Sequence, residues 1–292
     1  MDSPHTPVLG AEVVELLSGK AAVIDATVGA GGHAEALLEA GVHSVLGLDR
    51  DRGAIEVASR RLSRFGDRFR SALSQFSMLA ETAAAAGFSP AGGVLFDLGV
   101  SSMQLDDPGR GFSYRSSGPL DMRMGDEDRP TASDVVNGYP EDRLAQIFLE
   151  YGEERFARRI ARAVVRARSR SPIRSTAELA AVVAGAVPKR RGGPHPARRA
   201  FQAIRIEVNG ELEELTASLP HAVSLLEPSG RLVVISYHSL EDRIVKRFIA
   251  GAPALSPLTR KPVRPGAAEV SANPRARAAR LRSAEISEQE AA

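Results

Sequence analysis

The chain has 292 residues, 43% of them hydrophobic, and a formal net charge of +2, enough for one large domain or for a core that carries a smaller one. It contains no cysteine, which excludes disulfides, thiolate metal sites and thiol nucleophiles together, and its six histidines are scattered without metal-ligand spacing, so no metal is assigned. No run of about 18 apolar residues occurs, and residues 1–10 carry neither a basic flank nor an apolar signal segment, so a soluble cytoplasmic protein is expected.

Residues 21–27 (AAVIDAT) form a short apolar run ending in an acid, followed by the turn Gly29-Ala30-Gly31-Gly32. The pattern predicts a strand, a glycine loop and then a helix over residues 33–40, stopped by Gly41. Residues 44–50 (SVLGLDR) predict a second buried strand ending at Asp49, and Ile55, Ala58 and Leu62 a helix within 52–65. A third strand is expected at 68–74, a helix at 76–86, and a fourth strand at 93–98 (GVLFDL), which reaches Asp97. Strands alternating with helices at this spacing imply right-handed crossovers and a parallel sheet covered on both faces.

The alternation breaks after Gly99. Between residues 105 and 205 no buried strand is legible, only turn-rich sequence and helical stretches such as 142–151 and 153–169, which predicts an inserted helical domain. The core is expected to resume with one long amphipathic helix over 206–226, a turn at 227–230, a fifth strand at 231–236 (RLVVIS) and a helix at 240–250. The proline-rich tail, 253–274, reads as loop or irregular hairpin. The division is therefore 1–104 for the first part of the core, 105–205 for the insertion and 206–292 for the second part with its tail.

Charge is distributed unevenly along this frame. Residues 155–205 hold fourteen Arg or Lys against the single acid Glu178, and residues 260–282 hold seven against Glu269. Nearly all are arginines, whose planar, permanently charged forks match phosphate oxygens and stack on bases. Such blocks fit either a nucleic-acid partner or a solvated surface. Arg155, Arg158, Arg159, Arg162, Arg166 and Arg170 recur at helical spacing, with Phe156, Ile160, Ala163, Val164 and Ala167 on the other side.

Ligands of an open parallel sheet bind at the carboxyl ends of its strands, where glycines let the backbone approach a cofactor. Gly29, Gly31 and Ala34 also satisfy the dinucleotide pattern, so a nicotinamide-dependent oxidoreductase competes with a methyltransferase. Asp49, ending the second strand, is placed to accept ribose hydroxyls in either enzyme. Asp97, ending the fourth, adds an acid that a nicotinamide does not need and that an amino group facing a sulfonium does. A third reading is a non-enzymatic RNA-binding ribosome-assembly factor that retains the fold.

His5-Thr6-Pro7-Val8-Leu9, Asp25-Ala26-Thr27 with Gly29 to His33, Asp97-Leu98-Gly99-Val100-Ser101-Ser102, Arg110-Gly111-Phe112-Ser113, Gly118 to Met124 (GPLDMRM), Tyr151-Gly152-Glu153-Glu154, Phe201 to Ile206 (FQAIRI) and His238-Ser239-Leu240-Glu241-Asp242-Arg243 together resemble the signature blocks of the bacterial small-subunit (16S) ribosomal RNA cytosine-N4 methyltransferase family (RsmH/MraW). The resemblance implies a Rossmann-like S-adenosylmethionine-dependent methyltransferase core with an inserted substrate-recognition domain. It implies a cytidine of the ribosomal decoding centre as target, in naked RNA or in the assembled small subunit, and S-adenosylhomocysteine as product. By motif position Gly31, Gly32 and His33 contact the methionine part of the cofactor, Asp49 its ribose and Phe76 its adenine region, while Asp97 and Gln104 close the site near the methyl group. Asp97 is the candidate catalytic residue. His238 is a second, either touching the target base or fixing the turn that follows it. Arg110, Phe112, Tyr114, Arg158, Arg162 and Arg166 are the candidate RNA contacts, the two aromatic rings as stacking surfaces. The chain departs from the family at Ala276 and Ala278, where serines are usual.

Overall fold

The computed structural model describes residues 7–125, 128–188 and 195–287; His5, Thr6 and the cationic Lys189, Arg190 and Arg191 lie outside the described residues. The chain divides into a core unit, which runs to Gly99 and resumes at Leu212, and an inserted unit, Val100–Glu211. The insertion is thus wider than the expected 105–205 at both ends.

The first part of the core runs α1 (Gly10–Leu17), β1 (Ala22–Asp25), α2 (Gly32–Glu39), β2 (Ser44–Asp49), α3 (Arg52–Leu62), β3 (Phe69–Leu73), α4 (Leu79–Ala85) and β4 (Ala91–Asp97). The insertion holds α5 (Ser102–Asp106), α6 (Ala132–Gly138), α7 (Glu141–Glu150), α8 (Ala157–Arg168), α9 (Thr176–Ala186) and α10 (Arg198–Asn209). The second part of the core runs α11 (Glu211–Ser224), β5 (Leu226–Ser236), α12 (Ser239–Gly251), β6 (Leu255–Pro257), α13 (Ala267–Ala272) and β7 (Arg280–Ile286).

The strands form one seven-stranded sheet in the order β3-β2-β1-β4-β5-β7-β6, parallel from β3 to β5 and antiparallel at β7 and β6. Successive side chains of a strand point to opposite faces, and here both faces are apolar. Ile24, Leu46, Val94, Phe96, Leu232 and Val234 pack with Leu79 and Ala83 of α4, Leu215 and Leu219 of α11 and Val245 of α12. Val23, Val45, Leu95, Val233 and Ile235 pack with Val13 and Leu17 of α1, Leu37 and Leu38 of α2 and Ala58 and Leu62 of α3. Each such Leu, Ile or Val contributes roughly 1.5–3 kcal/mol through burial. That is why β1, β2 and β4 read as nearly continuous apolar runs that end in the acids Asp25, Asp49 and Asp97.

Four expectations about elements need correction. The single helix over 206–226 is two helices, because Gly210 adopts a left-handed backbone (φ 58°) that ends α10 before α11 begins. The turn at 227–230 is a bulge within β5, where the register with β4 jumps from Ala91↔Leu226 to Gly93↔Arg231 and Ser229 takes φ 61°. The tail, expected over 253–274 as loop or irregular hairpin, contains β6 and the helix α13, and with β7 beyond it the sheet gains two antiparallel strands. In the insertion the helix expected from residue 153 begins at Ala157, since Glu153 has φ 46°.

The inserted unit has its own core, built on Val135, Val136, Leu144, Ile147, Phe148, Ile160, Val164, Leu179, Val183, Phe201 and Ile204. Its helices are capped in sequence-legible ways. The hydroxyls of Ser101, Thr131 and Ser175 accept the backbone N–H groups of Gln104, Asp134 and Glu178. Asn209 is fully buried: its carbonyl accepts Met124 N–H at 2.9 Å and its amide donates to Met122 O at 2.8 Å. This pins the GPLDMRM loop, in which Met122 has φ 61°. No described helix is long and apolar enough to cross a membrane.

Candidate active site

The carboxyl ends of β1, β2, β4 and β5 gather the residues of interest in the core unit. Strand register sets Asp25 level with Gly47 of β2 and Leu95 of β4, and Asp97 level with Ile235 of β5. Chain order reverses between β1 and β4, the position at which an open parallel sheet leaves a crevice.

The glycine turn is shaped for close approach. Gly31 has φ 83° and caps α2, and a Cβ there would stand 3.0 Å from Leu62 Cδ1. Thr27, at the start of the turn, ties two acids together: its hydroxyl accepts the Asp97 backbone N–H at 2.6 Å, while its own N–H donates to Asp25 Oδ1 at 3.1 Å.

Asp97 is held at both oxygens. The Tyr237 hydroxyl donates to Oδ1 at 2.8 Å, and His33 Nε2 lies 3.4 Å from Oδ2. Burial works against a charged His33, yet the carboxylates of Asp97 and Asp25 outweigh it and hold the imidazole above its ordinary value. Burial also pushes the Tyr237 phenol up, and Asp97 pushes it further, so Tyr237 stays a neutral donor. Asp25 is 1% exposed, and burial pushes it up to about 6 against the opposing pull of His33 and the Thr27 N–H.

Asp49 accepts the N–H of Gly29 at 3.0 Å on Oδ2 and that of Asp51 at 2.9 Å on Oδ1, and the Arg50 N–H also bonds to it, so the carboxylate keeps little more than one lone-pair site for a hydroxyl donor. Burial pushes it up to about 6. Phe76 is half-buried in a single 3₁₀ turn, its ring edge-on to Phe96 with centroids 5.4 Å apart. Among the described residues at this crevice, Asp25 Oδ2 and both ring nitrogens of His33 are buried polar atoms without a hydrogen-bond partner, Nε2 meeting Asp97 only as an ion pair. Such atoms call for a polar ligand or water at this crevice.

Of the two roles open to His238, the structure favours the local one. Its ring caps α12, Nδ1 accepting the Glu241 N–H at 3.4 Å, and Glu241 Oε2 accepts the Tyr237 N–H at 2.8 Å in return. Sequence patterning alone does not single out Thr27 or Tyr237; the available signal is that each immediately follows, or nearly follows, an apolar strand run.

Within the insertion, the Gln104 side chain closes the α5 capping box by accepting the Ser101 N–H at 3.2 Å. Arg110 donates to Arg123 O at 3.0 Å. Phe112 does not serve as a stacking surface: it is 6% exposed within the unit's core, so the expectation for it is corrected. Tyr114 is half-buried and already stacked on His195, centroids 4.8 Å apart. Arg158, Arg162 and Arg166 lie on the exposed face of α8, whereas Arg168 turns inward to the carbonyls of Val136 and Tyr139.

A family model described as the MraW methylase family matches residues 2–287. This chain belongs to the MraW methylase family. Among similar proteins, three are each called ribosomal RNA small subunit methyltransferase H. That of Carboxydothermus hydrogenoformans is 48% identical over 98% of this chain and 98% of its own. That of Acidothermus cellulolyticus is 50% identical over 96% and 93%, and that of Sorangium cellulosum 48% over 96% and 90%. As a MraW methylase the chain is an enzyme of methyl transfer with S-adenosylmethionine as donor, which removes the nicotinamide alternative.

Proposed function

We propose that this methylase transfers a methyl group from S-adenosylmethionine to the exocyclic N4 of a cytidine in the decoding centre of small-subunit (16S) ribosomal RNA, in the cytoplasm, leaving S-adenosylhomocysteine. The observation that carries the reading is Asp97, a carboxylate fixed at both oxygens by Tyr237 and His33 at the end of β4, beside the glycine turn.

The cofactor site fits its ligand on the chemistry of the donors present. Gly31, Gly32 and His33 take the methionine part, where the unpartnered His33 Nδ1 and Asp25 Oδ2 are suited to its charged groups. Asp49 takes the ribose, Phe76 the adenine region and Asp97 the neighbourhood of the methyl. When bound, S-adenosylmethionine supplies an electrophilic methyl group on a sulfonium.

Methylation at cytosine C5 ordinarily needs a cysteine that adds to the ring, and this chain has none. Direct attack by N4 requires its lone pair to be localised as the N–CH₃ bond forms and the S–CH₃ bond breaks, with loss of one N4 proton. Asp97 is the acceptor or positioning group for that proton, and the fixed carboxylate opposes the positive charge developing on nitrogen. The Leu98 and Gly99 carbonyls assist. His238 contributes by fixing the start of α12, and in the insertion Arg110, Tyr114, Arg158, Arg162 and Arg166 supply RNA contacts.

The test is nucleoside digestion and mass spectrometry of small-subunit RNA from cells with and without the gene. N4-methylated cytidine should disappear in the deletion and return with the wild-type gene but not with Asp97→Ala, a variant expected to lose turnover far more than stability. Disappearance of a C5-methyl product instead would overturn the reading, and unchanged small-subunit RNA would place the methyl acceptor elsewhere.

A further inference from the structure

The tail that joins α12 to β7 carries a second charge block, distinct from that of the insertion. We infer that the segments leading into β7 form an RNA-binding surface on the core unit itself, taking phosphates of the single strand on either side of the target nucleotide. This rests on the RNA-methylation reading above and adds to it a contact surface on the catalytic unit.

Strand register places these segments. β7 runs antiparallel to β5 and begins at the carboxyl end of it, with Arg280 opposite Ser236 and Leu281 opposite Ile235. Tyr237, the residue next along, donates to Asp97. Everything that enters β7 therefore arrives at the sheet edge that carries the acids and the glycine turn.

Two anchors fix the chain after β6 along the outer side of β7, leading from the middle of that strand back toward its start. Leu258 N–H donates to Ser283 O at 3.0 Å, and Val263 and Leu281 exchange both backbone hydrogen bonds at 2.9 Å. Arg260 and Lys261 lie between the anchors and Arg264 just beyond, all exposed. Before β7, Asn273 caps a 3₁₀ turn, Pro274–Ala278, in which Ala276 is fully buried while Arg275 and Arg277 on either side are exposed. Small side chains there serve as anchors, and the arginines flank them.

Two further arginines of the block, Arg280 and Arg282, pair with Asp242 at 3.2 and 2.6 Å. Glu269, the one acid between residues 260 and 282, accepts the Leu9 N–H at 2.8 Å, and its charge reaches His33 and Tyr237. The tail thus borders the site with its acid turned toward the core and five cations exposed to solvent. Pre-ordered cations of this kind bind phosphates with little loss of backbone freedom, and their contribution is salt-dependent through counterion release.

The experiment measures binding of a small-subunit ribosomal RNA transcript to the full chain across a salt series. The variants are the quintuple Arg260→Ala, Lys261→Ala, Arg264→Ala, Arg275→Ala, Arg277→Ala, and the smaller pair Lys261→Ala, Arg277→Ala should the first fold poorly. Affinity should fall at least about tenfold in the quintuple, and the log–log salt slope should flatten by up to about 0.7 for each phosphate-binding cation removed. The melting shift with S-adenosylmethionine should be unchanged. Wild-type affinity and slope in both variants would overturn the proposal. So would normal binding and methylation of the transcript combined with lost methylation of assembled subunits, which would assign the surface to a protein. Failure of the functional reading is seen separately, as a wild-type chain that melts no higher with S-adenosylmethionine.

Discussion

Asp25 shows how a single carboxyl group is set by its surroundings. Its pKa, about 6 against an ordinary 3.8, is raised chiefly by burial. A group whose folded pKa is raised binds its proton more tightly in the folded state, so its stabilising contribution is complete below about pH 4 and is lost as pH rises through 6. Asp49 behaves in the same way. Cofactor-free protein should therefore lose stability between about pH 4 and 6 through these two groups. Asp25→Asn should remove part of that slope and raise stability at pH 7 by on the order of 1–3 kcal/mol, read from urea midpoints across pH. A variant with the wild-type pH slope would show that the buried charge is compensated. The strand-end acids were legible in sequence because an acid after an apolar run must sit where the strand leaves the core. Their partners were not: Tyr237 is 140 positions from Asp97, and only sheet order brings them together.

At the level of elements, the sequence was legible where one face was strongly apolar and opaque where small residues carried the packing. α9 (Thr176–Ala186) is mostly alanine and valine, and β7 presents only Leu281, Ser283 and Ala284 inward between charged neighbours, so neither announced itself. The break at Gly210 had a signal, Asn209-Gly210, overridden by the apolar periodicity on both sides. Asn209→Ala should cost about 2 kcal/mol or more, because it strands the buried Met124 N–H and Met122 O and releases a strained loop. Thermal melting followed by circular dichroism checks this, and an unchanged midpoint would mean that the loop holds itself. On α8, Arg158→Glu, Arg162→Glu and Arg166→Glu together should weaken RNA binding and reduce its salt dependence while leaving cofactor binding alone. Unaltered RNA affinity in this triple variant would make that helix face merely solvated.

For the whole molecule the governing relation is linkage between folding and the cofactor. A ligand that binds only the folded chain stabilises it by roughly 2.7 kcal/mol at a hundred times its dissociation constant. Melting should therefore rise with S-adenosylmethionine or S-adenosylhomocysteine and not with NAD. Asp49→Ala should lose most of that rise, since no neutral group replaces a ribose acceptor. A shift with NAD alone would contradict the site as described.

The pairing of β4 with β5 has a consequence for biogenesis. These strands are neighbours in the centre of the sheet, yet the whole Val100–Glu211 unit separates them in the chain. At about 5–20 residues per second, a ribosome takes on the order of ten seconds to pass from one to the other. Throughout that interval nascent β4 presents an unpaired edge, rich in Val94, Leu95 and Phe96, while the insertion has every residue of its own core. The insertion can therefore fold first, during synthesis, and the catalytic sheet closes only after its last strands emerge. Mutations that slow the insertion's folding should then lower the yield of soluble enzyme more than its specific activity.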